Sequence, residues 1–158
     1  MRFIRLIMMK IESCKMLFCY NLQIPIGTFY PYLGRTPFSI RSNIETKLDA
    51  RLIEATLSSI DYPDWQDKLR ETFSDFELSF EGGESSRATT ERAIAAIKDA
   101  QLLEKNPLVL VTHGRLLTLI LKHFDSKYGF KEWQNLTTPD VFSLVIKENE
   151  SQVQRIWQ

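Results

Sequence analysis

The chain has 158 residues, 44% of them apolar and 25% charged, which suits one globular domain able to bury its own core. Twenty Lys and Arg balance twenty Asp and Glu, so the formal net charge is zero. A general nucleic-acid binder, which needs a basic surplus to displace counterions, is therefore not expected. Cys14, Cys19, His113 and His123 are too few and too far apart to make a zinc site, so no metal is expected and the thiols are read as reduced.

At the start of the chain Arg2 and Arg5 precede Leu6, Ile7, Met8 and Met9, but Lys10, Glu12 and Lys15 interrupt the apolar run before it reaches the length of a signal-peptide core. No stretch approaches the ~18–20 apolar residues of a membrane span, so a cytoplasmic location without membrane contact is expected. Residues 1–43 show no sustained helix or strand period. Pro25, Gly27, Pro31, Gly34 and Pro37 break any pattern, and this segment reads as loop, set apart from an α/β domain over 44–158.

Beyond residue 44 the pattern becomes regular. Asp61 to Asp75 reads as a helix, with Pro63 suited to its first turn and Trp65, Leu69 and Phe73 spaced by four on one face. Gly82-Gly83 makes a turn, and Ser85 or Ser86 can cap a helix running to about Glu104. Its buried stripe is Ala93, Ala96, Ile97, Ala100 and Leu103.

After Pro107, the run Leu108-Val109-Leu110-Val111-Thr112 fits a strand covered on both faces. His113-Gly114 ends it, and a helix follows with Leu116, Leu117, Ile120, Leu121 and Phe124 facing inward. Val141–Lys147 and Gln152–Trp157 read as two strands joined by a polar turn. This order predicts an α/β protein of three layers, α/β/α, with a mostly parallel central sheet.

In open α/β sheets ligands sit beyond the carboxyl ends of strands, where His113 is expected. The free N–H groups of the following helix favour an anion there, Gly114 permits close backbone approach, and a histidine can donate a hydrogen bond to a phosphate oxygen. A histidine that merely satisfies a backbone group at a strand end fits the same position. His123, inside the helix, reads as structural or surface. Glu54 can serve as a general acid near an anion, or be an ordinary surface carboxylate; Glu84 reads as part of a turn or helix start.

Five segments, taken in order, resemble the histidine phosphatase (phosphoglycerate mutase-like) superfamily. They are Leu52-Ile53-Glu54, Gly82-Gly83-Glu84-Ser85 with Arg92 in the next helix, Val111-Thr112-His113-Gly114, Trp133, and Pro139-Asp140-Val141-Phe142; together they span roughly Ile44 to Ile146. The resemblance implies phosphomonoester hydrolysis or mutase-type phosphoryl transfer without metal or cofactor. A small phosphorylated molecule or phosphate is the implied partner. His113 is then the second, phosphate-binding histidine, Gly114 its neighbour at the phosphate, and Glu54 the proton donor. Arg35, in Tyr30-Pro31-Tyr32-Leu33-Gly34-Arg35, corresponds to a clamp arginine.

The family's nucleophile is a histidine in an N-terminal arginine-histidine-glycine motif, and no histidine precedes His113. The first strand and its motif are accordingly expected to be lost or altered, and turnover to be impaired, since Cys14 and Cys19 show no strand-end context that would make either a substitute. Ala55 and Arg115 also depart from the family pattern. A non-catalytic phosphate-binding or interaction module on the same fold is the alternative expectation.

Overall fold

The computed structural model describes residues 2–8, 49–103, 108–137, 140–147 and 150–157. Its elements are strand β1 (Arg2–Met8), a short 3-10 turn (Ala50–Leu52), helices α1 (Trp65–Ser74) and α2 (Ser86–Leu103), strand β2 (Leu108–Thr112), helices α3 (Gly114–Phe124) and α4 (Phe130–Gln134), and strands β3 (Asp140–Ile146) and β4 (Ser151–Trp157).

The strands form one sheet in the order β2-β1-β3-β4. β1 runs parallel to β2, with Ile4 opposite Leu108 and Met8 opposite Thr112. It runs antiparallel to β3, with Met8 opposite Asp140, and β4 closes an antiparallel pair with β3. Two expectations are corrected here. Among the described residues the sheet is mixed rather than mostly parallel, because only the β1–β2 pairing is parallel. And the first third is not loop throughout: Arg2–Met8 is an inner strand, with Leu6 fully buried. The pattern gave no hint because an inner strand shows no period-2 alternation, and its two arginines masked the apolar run.

The remaining elements fall close to expectation. Leu69 and Phe73 of α1 are buried, whereas Trp65, its first residue, stays largely exposed. In α2 Ala93, Ala96, Ile97 and Ala100 face the core, and Ser85 Oγ accepts the Ala88 N–H at 3.2 Å; the side chain of Leu103 lies outside the described residues. Every residue of α3 from Arg115 to Leu121 is buried, the signature of a helix enclosed on all sides. The main core joins Leu6, Leu110, Phe142 and Leu144 of the sheet to Ala93 and Ile97 of α2 and Leu116, Leu117, Ile120 and Leu121 of α3. A second cluster packs Leu69, Phe73 and Leu119 against Phe130 and Trp133 of α4. Among the described residues no helix is long and apolar enough to cross a membrane.

Candidate functional site

The parallel β1–β2 pair brings the carboxyl ends of both strands to one edge. Met8 and Thr112 lie opposite each other there, and His113 follows directly. His113 keeps an extended backbone (φ −110°, ψ 169°) and caps α3, its carbonyl accepting the Leu117 N–H at 2.8 Å. Its side chain is half-buried and caps no backbone N–H of the helix. The residue thus stands where the sequence placed it, with its ring uncommitted to the helix start.

Glu54 reaches the same helix start. Its Oε2 accepts the Arg115 N–H at 3.3 Å, and its Oε1 accepts the N–H groups of Leu116 at 3.1 Å and Ala55 at 2.8 Å. The first-turn amides of a helix have no partner within it and carry partial positive charge, so a carboxylate is well placed there. An anion was expected at this helix start; Glu54 supplies one from within the chain. The surface-carboxylate reading of Glu54 does not hold, since both its oxygens are engaged.

The segment carrying Glu54 is held from several sides. Arg92 of α2 donates from Nη1 to the carbonyls of Arg51 (2.6 Å) and Ile53 (3.1 Å), and from Nη2 to that of Glu54 at 3.5 Å. The same guanidinium pairs with Glu84 Oε2 at 2.8 Å, and Thr89 Oγ1 donates to that oxygen at 2.8 Å. Glu84 therefore has the turn and helix-start role expected of it, and Arg92 is occupied with structure. Thr112 Oγ1 adds a buried bond to the Leu52 carbonyl at 3.1 Å.

Two glycines let the next loop close on this segment. Gly82 has φ +66°, a conformation that favours glycine, and a Cβ on Gly83 would lie 2.0 Å from the Leu57 carbonyl oxygen. The loops then zip together through Glu84 N–H to Thr56 O (2.9 Å) and Ser59 N–H to Glu81 O (2.8 Å).

Arg115, a departure from the family pattern, is buried. Its Nη1 donates to Ala55 O at 3.4 Å and its Nη2 to Glu84 O at 3.3 Å, while its Nε has no hydrogen-bond partner among the described residues. Burial pulls its proton affinity below the ordinary arginine range, and the nearby Glu54 and Glu84 carboxylates oppose that pull. The available signal is a charged residue in the first turn of a helix whose next six residues, Leu116 to Leu121, are apolar but for Thr118.

His123 meets expectation. It packs edge-on against Phe124, and burial, helped by Lys98, lowers its pKa from the usual histidine value. Asp140 is fully buried and accepts from Arg155 Nε at 2.9 Å and from the Thr137 N–H at 3.0 Å, so it joins strand ends rather than serving the site. Trp133 stacks on Phe130 in the second cluster. Arg35, Cys14, Cys19 and Pro139 lie outside the described residues.

Several solved structures share this fold. A mycobacterial glucosyl-3-phosphoglycerate phosphatase, solved with VO3, is 19% identical with a TM-score of 0.54 over 75% of this chain and 66% of its own. The α-ribazole phosphatase of Shigella flexneri is 14% identical, with a TM-score of 0.52 over 77% of this chain and 65% of its own. A mutant phosphoserine phosphatase of Entamoeba histolytica, solved with phosphoserine, is 12% identical with a TM-score of 0.56 over 96% of this chain and 95% of its own. The chain thus spans slightly less than two thirds of the length of the first two and nearly all of the third. No curated protein sequence matches it. The model of the histidine phosphatase superfamily (branch 1) matches residues 36–157, well over half of the chain, and the chain belongs to that superfamily.

Proposed function

We propose that the chain binds a phosphomonoester, or the phosphate released from one, beyond the carboxyl end of β2, and that hydrolysis there is impaired. The observation that carries this reading is the convergence of His113 and the Glu54 carboxylate on the first turn of α3, within the segment that matches the superfamily. In this reading the His113 ring donates to a phosphate oxygen and the Gly114 N–H adds a second donor. Glu54 is the proton donor to the leaving oxygen, and Arg35 supplies a clamp on the phosphate. The three-layer α/β/α arrangement belongs to the same reading. Phosphatase names among the solved relatives, one of them solved with phosphoserine and one with VO3, support a phosphate-containing ligand.

Impairment follows from the histidine count. His113 and His123 are the chain's two histidines, and His123 sits inside α3, packed on Phe124. No histidine is left to accept a phosphoryl group beside His113, and losing one member of a catalytic unit removes most of its rate. The same count favours the second reading, a phosphate-binding module without turnover.

The test is phosphate titration of the purified chain, alongside metal-free hydrolysis of p-nitrophenyl phosphate, each with a His113→Ala control. Saturable phosphate binding is expected to weaken about tenfold in the control, the loss of one charge-assisted hydrogen bond, with hydrolysis at background in both proteins. Equal phosphate affinity in the two would sink the reading. Hydrolysis that vanishes in the control would overturn the impairment and assign the nucleophile to another residue.

A further inference from the structure

Glu54 and Arg115 are tied reciprocally. The Glu54 side chain accepts the backbone N–H groups of Arg115 and Leu116, while the Arg115 side chain donates to the backbone carbonyl of Ala55, the residue next to Glu54. The residues are separated by 61 positions, so nothing local brings them together. The Arg115 fork also spans two loops, since its other arm reaches Glu84 O, and the Gly82-Gly83 turn sets that loop against residues 56–59. Burying a guanidinium is costly unless its N–H groups are hydrogen-bonded; here Nη1 and Nη2 each reach a carbonyl, while Nε has no partner among the described residues. A planar, permanently charged fork can join two carbonyls at once, which an ammonium cannot.

We propose that Arg115 is a positioning residue: by holding the Ala55 and Glu84 carbonyls, its buried guanidinium fixes the Glu54 carboxylate over the first turn of α3, at the helix start that His113 caps. Arg92 holds the same segment through the carbonyls of Arg51 and Ile53, so the stretch carrying Glu54 is tied by two arginines on different helices. The role assigned to Glu54 rests on the function proposed above; its placement by Arg115 does not.

Amide hydrogen exchange of the full chain, resolved residue by residue, separates placement from general stability. Arg115→Met should release the Glu54 carboxylate and speed exchange at the Leu116 amide about tenfold, to the rate seen in Glu54→Ala, with the double variant no faster than either. The amides of Leu119 to Leu121, deeper in α3, should keep their wild-type rates. Arg115→Lys, which can reach one carbonyl at a time, should fall between, about threefold faster than wild type. A wild-type rate at Leu116 in folded Arg115→Met overturns the proposal, and so does equal acceleration along the whole of α3. Should Arg115→Met fail to fold, Arg115→Lys decides alone, and a wild-type Leu116 rate there overturns the proposal. Phosphate titration of His113→Ala tests the function separately: unchanged affinity would remove the phosphate site and leave the exchange pattern as it is.

Discussion

At the scale of single residues, the site depends on places where a side chain has no room. Gly83 is the tightest, since a Cβ there would meet the Leu57 carbonyl oxygen at 2.0 Å and the Thr56 carbonyl oxygen at 3.1 Å, both backbone atoms that cannot swing aside. Gly83→Ala should therefore force apart the two loops that Glu84 N–H and Thr56 O hold together, at a cost of about 2–3 kcal/mol, as overpacked positions typically show. Urea unfolding is the measurement, and a loss under about 0.5 kcal/mol, the range of neutral surface changes, would mean that the loops do not meet this closely. The sequence could show that Gly82-Gly83 makes a turn, because paired glycines do so in any context. It could not show what the turn approaches, because Leu57 lies far along the chain. The same limit hid the Glu54–Arg115 tie. His113 was legible because a strand run, a glycine and a helix period are all local, whereas the partner of a carboxylate is chosen by the fold.

At the scale of elements, the joining of β4 to the sheet has its own fastening. Asp140 opens β3 fully buried, and Arg155 of β4 pairs with it through Nε and Nη2 while also donating to the Asn135 carbonyl at 3.1 Å. The ladder shifts register between Val141 and Phe142, beside this pair, so the ion pair holds the strands where regular pairing is interrupted. Arg155→Met would leave the buried carboxylate with the Thr137 N–H and no cation among the described residues, which should cost about 3 kcal/mol, more than the pair itself contributes. Asp140→Asn in the same chain should recover part of that loss, because an uncharged amide is cheaper to bury. Denaturant unfolding of the single and double variants checks this, and additive losses would show that the two groups act independently. Helices α1, α2 and α3 and strand β2 were all visible beforehand, since each carries a periodic or continuous apolar pattern of its own. β1 was not. A short inner strand with two arginines and no flanking turn residues looks like nothing until its neighbours are known.

At the scale of the whole molecule, β1 decides whether the sheet exists. It is the shared partner of β2 and β3, so without it β2 has no described strand beside it and both inner edges lose their ladder. Leu6, fully buried, also joins the core formed by Leu110, Leu116, Ile120 and Phe142. The pairing links Ile4 to Leu108 across most of the chain, a non-local contact whose closure entropy must be recovered from the packing it creates. Net stabilities of domains this size are of the order of 5–15 kcal/mol, so the loss of an inner strand should exceed the whole margin. A chain beginning at residue 44 is therefore expected to show no cooperative thermal transition, although its helices retain part of their far-ultraviolet circular dichroism. Leu6→Ala in the full chain tests the same point without deleting backbone: it should cost about 2–5 kcal/mol, the range for a large side chain removed from a packed interior. If the shortened chain unfolds cooperatively at the midpoint of the full chain, and Leu6→Ala is neutral, then residues 2–8 do not belong to the sheet. The site at His113 would then be open on the side where β1 now runs.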